Sequence, residues 1–179
     1  LFPFADEDTP DPFTGRTDGL LRRQRSLCAV PKIIYTNSSA EYWRGDGSLT
    51  HIDPTGQKDL ETPSEARIYH FAGTQHGPDL PGRGDGAVDG TWARYAQNVI
   101  DYRPLLRAAL VNLDAWVSRG VEPPPSKRPR VDDGTAVSRG ELLDSPGILP
   151  SGVGFIAATS MNADGNVIEP AAREMGTLP

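Results

Sequence analysis

Three features of the 179-residue sequence predict an α/β fold: a β-branched and aromatic run at residues 32–37, a second at 66–72, and apolar residues at helical spacing over 102–119. About thirty residues separate the two runs, which is ample for the crossover of a parallel pair. Residues 1–19 carry Asp6, Glu7, Asp8, Asp11 and Asp18 among Pro, Thr and Gly without a period, and read as a solvated loop. They lack the spaced oxygen ligands of a calcium loop. Leu20 to Arg25 suits a short surface helix capped by Thr17 or Asp18, and Pro31 stops it. The first strand follows, Lys32-Ile33-Ile34-Tyr35-Thr36-Asn37, and then a short helix or turn at Ser39-Ala40-Glu41-Tyr42-Trp43 that Gly45 and Gly47 end.

Turn chemistry at Asp53-Pro54-Thr55-Gly56 and Glu61-Thr62-Pro63-Ser64 leads into the second strand, Ala66-Arg67-Ile68-Tyr69-His70-Phe71-Ala72, which Gly73 closes. Residues 77–90 are again rich in Gly, Pro and Asp. The helix over 102–119 has an expected inner face of Leu105, Leu106, Ala109, Leu110, Leu113, Trp116 and Val117. Pro104 falls in its first turn, Arg119 in its last and Gly120 just beyond, the usual asymmetry of helix ends. Residues 127–151 are punctuated by Pro and suit an ordered loop packed on the rest. Residues 154–158 and 166–168, around the turn signal Asp164-Gly165, suggest a small hairpin or edge extension. The expected division is a catalytic-domain portion at 1–120 and a loop-rich extension at 121–179, packed on the same domain.

Composition narrows the function. A hydrophobic fraction of 37% is low for a self-sufficient α/β core, and 19 Gly with 17 Pro imply long loops. A net charge of -6 offers no basic footprint for nucleic acid or an anionic membrane surface. No apolar run approaches the roughly 20 residues of a membrane helix, and a secretory leader pattern is missing from residues 1–30. Cys28 is the single cysteine, which leaves no internal disulfide and suggests a buried free thiol. Three scattered histidines without ligand spacing argue against a metal site. The Arg22-Arg23-Gln24-Arg25 stretch reads as helix surface, and Lys127-Arg128-Pro129-Arg130 resembles a basic address on pattern alone. Composition leaves compartment and oligomeric state open.

The chemistry sits where the two strands end. The first runs into Ser38-Ser39-Ala40-Glu41-Tyr42-Trp43, the second into Gly73-Thr74-Gln75-His76-Gly77, so each delivers a titratable residue at its C-terminal edge. That edge is where open α/β sheets bind ligands. A carboxylate accepting from one imidazole nitrogen fixes the tautomer and frees the other nitrogen to take a proton from a serine hydroxyl. Glu41 is therefore the expected acid and His76 the expected base, with Asp46 as the alternative acid and Tyr42, Trp43 and Gln75 as possible pocket lining. Core packing is the competing role for Trp43. His70, inside the strand on the face of Ile68 and Ala72, is expected to be structural, and His51 has no evident partner. Acid before histidine is the α/β-hydrolase order, yet no Gly-x-Ser-x-Gly elbow occurs, and Ser38 and Ser39 lack the glycines that expose such a hydroxyl. The nucleophile and oxyanion hole are thus expected upstream of Leu1, making this chain the C-terminal part of a hydrolase sheet with a long packing helix and a loop-rich extension.

The blocks Lys32-Ile33-Ile34-Tyr35-Thr36-Asn37-Ser38-Ser39-Ala40-Glu41-Tyr42-Trp43-Arg44-Gly45 and Arg67-Ile68-Tyr69-His70-Phe71-Ala72-Gly73-Thr74-Gln75-His76-Gly77 resemble a bacterial family of alpha/beta hydrolase domain-containing proteins. Phe2-Pro3-Phe4-Ala5 and Asn162-Ala163-Asp164-Gly165-Asn166 are similar as well. The resemblance implies a serine-hydrolase fold with His76 as triad base and Glu41 as acid and names no substrate; the triad chemistry itself points to a small ester-like substrate and requires no cofactor. The rival expectation is a non-catalytic binding or structural module that presents its loops. Contact between Glu41 and His76 would favour the hydrolase; opposed faces would favour the module.

Overall fold

A computed structural model describes residues 2–44, 47–77 and 100–144, together with short strands at 160–161, 167–168 and 175–177. The N-terminal residues are held by polar contacts rather than by a periodic face. A two-residue antiparallel ladder joins β1 (Thr9–Pro10) to β2 (Thr17–Asp18), in a region expected to be wholly loop. The Asp6 carboxylate accepts from the Tyr35 hydroxyl at 2.6 Å, and its carbonyl accepts from Arg25 at 2.9 Å. Helix α1 (Arg22–Ser26) has Leu21 at its N-cap and no side-chain cap. The expected caps are otherwise engaged: Thr17 and Asp18 lie in β2, and Asp18 accepts from the Gly19 amide. Cys28 is exposed rather than buried, in a left-handed turn at φ 50° just after α1, where its side chain points away from the core.

The centre is parallel, as the crossover length allows. Strand β3 (Ile33–Ser38) runs directly into helix α2 (Ser39–Arg44), a 3-10 turn spans Ser48–Thr50, and β4 (Ala66–Phe71) returns beside β3 with Ile33 opposite Ala66 and Ser38 opposite Phe71. The far edge of β4 is also paired. Lys127 donates to the Ile68 carbonyl at 2.9 Å and accepts from the His70 amide at 2.8 Å, a parallel bridge. β4 is thus the middle of three aligned segments, and the stretch read as a packed loop supplies the third. Ile68, Ile52, Leu60 and Leu142 form much of the buried apolar core.

Helix α3 (Arg103–Arg119) has Pro in its first turn and ends at Gly120 in the left-handed conformation, φ 68°. Gly adopts that conformation without Cβ strain. Tyr102, Ala109 and Trp116 are buried with Leu106 and Leu113 half-buried between them, a seam spaced i, i+4, i+7, i+11, i+14. Leu105, Leu110 and Val117, expected on the inner face, flank this seam and are exposed. The helical period recovers an apolar side of the helix but not how narrow a strip of it the sheet covers. Trp116 seats the helix on the sheet: Lys32 Nζ lies 4.7 Å and Arg67 Cζ 4.8 Å from the ring centroid, two cation–π contacts, one from the residue before β3 and one from β4.

After α3, β5 (Ala136–Ser138) leads into α4 (Arg139–Asp144). β6 (Ser160–Met161) pairs antiparallel with β7 (Val167–Ile168), and β8 (Met175–Thr177) pairs antiparallel with β5. The expected hairpin therefore has its first arm at 160–161; residues 154–158 lie outside the described residues. No helix among the described residues is long and apolar enough to cross a membrane.

Because Ile68 is buried at 2% exposure in the middle segment, Ile68→Ala should cost about 2–5 kcal/mol of stability. Urea denaturation, read as a lower midpoint at an unchanged slope, measures this.

Candidate active site

Ser38 ends strand β3 and immediately precedes α2, and this fixes the Glu41 carboxylate. Ser38-Ser39-Ala40-Glu41 forms a capping box: the Ser38 amide and hydroxyl both donate to Glu41 Oε2, at 2.6 and 2.5 Å, and the Ala40 amide donates to Ser38 Oγ at 3.3 Å. Oε1 is left to face outward. It accepts from His76 Nδ1 at 2.5 Å. Partial burial pushes the Glu41 carboxyl upward, but the Ser38 and His76 hydrogen bonds outweigh it and hold the group below its usual range. Gly47 closes over this turn, donating to the Glu41 carbonyl at 3.0 Å; a Cβ there would stand 3.2 Å from Glu41 Cβ.

His76 is 58% exposed and sits on the loop that leaves β4. Ser39 grips that loop at two points, donating its amide to the Thr74 carbonyl at 3.1 Å and accepting at Oγ from the Gly73 amide at 2.8 Å. Gly73 takes φ 72°, which a residue with a Cβ would resist. Thr74 Oγ1 closes the turn onto the Phe71 carbonyl at 2.5 Å. The Tyr102 hydroxyl donates to the His76 carbonyl at 2.9 Å. Acid and histidine thus come from the C-terminal ends of adjacent parallel strands and meet.

Of the other candidates, Asp46 lies outside the described residues. Tyr42 does not line an open pocket: at 1% exposure it is core, and its hydroxyl meets His51 Nε2 at 2.9 Å. Trp43 and Gln75 are half-buried beside Glu41 and His76 in sequence. His51, read as partnerless, is fully engaged. Arg128 Nη1 approaches its Nδ1 at 3.3 Å, and since a guanidinium only donates, Nδ1 accepts and Nε2–H donates to Tyr42. Arg128 also bonds Asp59, Leu60 and Thr62, so within the segment resembling a basic address this side chain is a structural tie, while Lys127 and Arg130 are exposed. Asp59 further accepts from the Val131 and Asp132 amides at 3.3 and 3.1 Å.

Desolvation and the Arg128 charge push His51 down to about 3. His70 rests its ring 4.4 Å from that of Tyr42, with Nε2 3.2 Å from Ser39 Oγ; burial pushes it down to about 4, in keeping with the expected structural role. Sequence reasoning passed over Ser38, Ser39 and Tyr102 as parts of the site. The Ser-x-x-Glu spacing of a capping box was the readable signal for the first. Among the described residues, no cluster of three or more His, Cys, Asp or Glu side chains is placed to hold a metal ion.

Comparison with known proteins agrees with this architecture: a family model described as an alpha/beta hydrolase domain matches residues 5–169. No curated protein and no solved structure matches the chain.

The depressed His51 value carries a pH consequence. Unfolded, the imidazole titrates near 6.5; folded, it stays neutral to about 3. Between those values the unfolded state binds more protons, so stability is full above pH 6.5 and falls with acidification, by at most about 1.4 kcal/mol per pH unit for one proton. His51→Gln, whose amide can accept from Arg128 and donate to Tyr42, should flatten this slope relative to wild type. Urea midpoints at pH 7, 5.5 and 4.5 check it, and parallel slopes would refute it.

Proposed function

Because the chain belongs to the alpha/beta hydrolase domain family, we propose that it is the C-terminal part of a serine hydrolase acting on an ester or related acyl bond. His76 is the general base and then acid, Glu41 its orienting carboxylate. The serine lies upstream of Leu1, as the order Ser, acid, His requires in this fold. The observation that carries the reading is the 2.5 Å contact of His76 Nδ1 with Glu41 Oε1 at the ends of two parallel strands.

The chemistry follows from that contact. With Nδ1–H donated to Glu41, the basic nitrogen is Nε2, on the opposite side of a solvent-exposed ring. Nε2 takes the serine proton as the hydroxyl oxygen bonds to the acyl carbon, and Glu41 stabilises the imidazolium. The proton then passes to the departing alkoxide, leaving an acyl-enzyme and a free alcohol. Water, deprotonated by the same Nε2, attacks the acyl carbon; the serine oxygen leaves and recovers the proton, releasing the acid. Oxyanion donors come from the residue after the nucleophile and from an earlier loop. An opposed placement of the two side chains would have supported a non-catalytic module instead.

In the full-length protein, His76→Ala should lower kcat on a small activated ester such as p-nitrophenyl acetate by roughly 10³- to 10⁴-fold. Glu41→Gln should lose a comparable factor, because an amide at that position no longer selects the Nδ1–H tautomer. Unchanged turnover in folded His76→Ala protein would reject the assignment.

A further inference from the structure

The dyad is held from a third direction. Loop residues 73 and 74 are tied to Ser39, but the histidine itself lies beyond them, next to Gly77, and is exposed. The described bond that fixes its backbone comes from Tyr102, at the mouth of α3 and 26 residues further along the chain. Tyr102 is well placed to act as a fixed post. It is 7% exposed, its ring lies 5.9 Å from that of Phe71 at the end of β4, and it adjoins a helix of 17 residues that Trp116 seats on the sheet. Burial and the neighbouring Glu41 charge push its phenol upward, so the hydroxyl remains a donor.

We infer that Tyr102 is a positioning residue for the proposed reaction, its hydroxyl holding the His76 carbonyl so that the imidazole keeps Nδ1 on Glu41 and Nε2 toward the nucleophile. The inference rests on the hydrolase reading. Its physical basis is that the carbonyl and the ring belong to one residue. With the ring fixed by Glu41 and the carbonyl by Tyr102, rotation of the peptide plane and of χ1 are both restrained. Without the hydroxyl, the His76 carbonyl loses that restraint, and misplacement on the order of 1 Å at a reacting atom costs about 10²-fold in rate.

The test is Tyr102→Phe in the full-length protein, which deletes one oxygen and keeps the ring. The expected result is a roughly 10- to 100-fold lower kcat on p-nitrophenyl acetate with KM within about two-fold of wild type. The downfield Nδ1–H proton signal of His76, assigned by its loss in His76→Ala, should broaden or move. Leu110→Ala, on the exposed flank of the same helix, leaves the hydroxyl bond untouched and should retain both kcat and the signal. Wild-type kcat and an unmoved signal in Tyr102→Phe would overturn the inference, as would equal losses in Tyr102→Phe and Leu110→Ala. If His76→Ala is fully active, the hydrolase reading itself falls; if His76→Ala is dead while Tyr102→Phe is unaffected, only the positioning role falls.

Discussion

The site depends on how one carboxylate divides its two oxygens. Glu41 Oε2 is spent on Ser38, whose amide and hydroxyl cap the first turn of α2, and Oε1 is spent on His76. A free surface glutamate would sample several rotamers, and holding it for one partner would cost side-chain entropy at each encounter. Here the entropy is lost once, on folding, to a capping box that also satisfies orphan amides of the helix. Since Ser38 is both the last residue of β3 and the cap of α2, the acid is rigid with respect to the sheet. The same solution recurs at the β5–α4 junction, where Glu141 accepts from the Ser138 amide at 2.9 Å and donates its own amide to Ser138 Oγ at 3.2 Å.

Adjacent residues of α2 serve opposite sides of the molecule. Glu41 turns to His76; Tyr42 turns inward to His51, which accepts from Arg128, itself bonded to Asp59. Removing polar groups from water costs free energy unless each finds a partner, and here the partners come from segments far apart in sequence. Asp59 gathers Arg128, Arg130 and the amides of Val131 and Asp132. The loop before β4 and the segment after α3 are therefore bound beneath the helix that carries the acid. A chain with 37% hydrophobic residues and 36 Gly and Pro, 19 plus 17, fills part of its interior this way.

What could be read in advance follows from which interactions are local. Both central strands, their parallel sense, the helix over Arg103–Arg119 and the convergence of Glu41 with His76 were legible, because strand composition, helix punctuation and strand-end placement are short-range signals. The exposure of Leu110 and Val117 was not, since periodicity marks an apolar side and only the sheet decides which strip is covered. Nor was the burial of His51 and Arg128: their partners lie 77 positions apart in sequence, and nothing near either residue announces the other. The pairing of β5 with β8 is equally non-local. Ser38 illustrates a different miss. Weighed as a nucleophile and set aside, it had a further role open to it that the Ser-x-x-Glu spacing already encoded.

The three histidines differ in placement more than in kind, and that difference is why the proposed function takes His76 as its base. A general base near neutral pH needs a lone pair that can reach a substrate and a proton affinity matched to the medium. His51 meets neither need: it is buried, its Nδ1 is occupied by a guanidinium, and its affinity is pushed down to about 3. His70 is held down near 4, and the polar partner of its Nε2 is a buried serine that also braces the loop from Gly73. His76 differs from both in having a carboxylate on one nitrogen and an exposed ring. Of the three, only His76 presents an exposed ring on a fixed carboxylate, which is the arrangement the proposed acyl transfer uses.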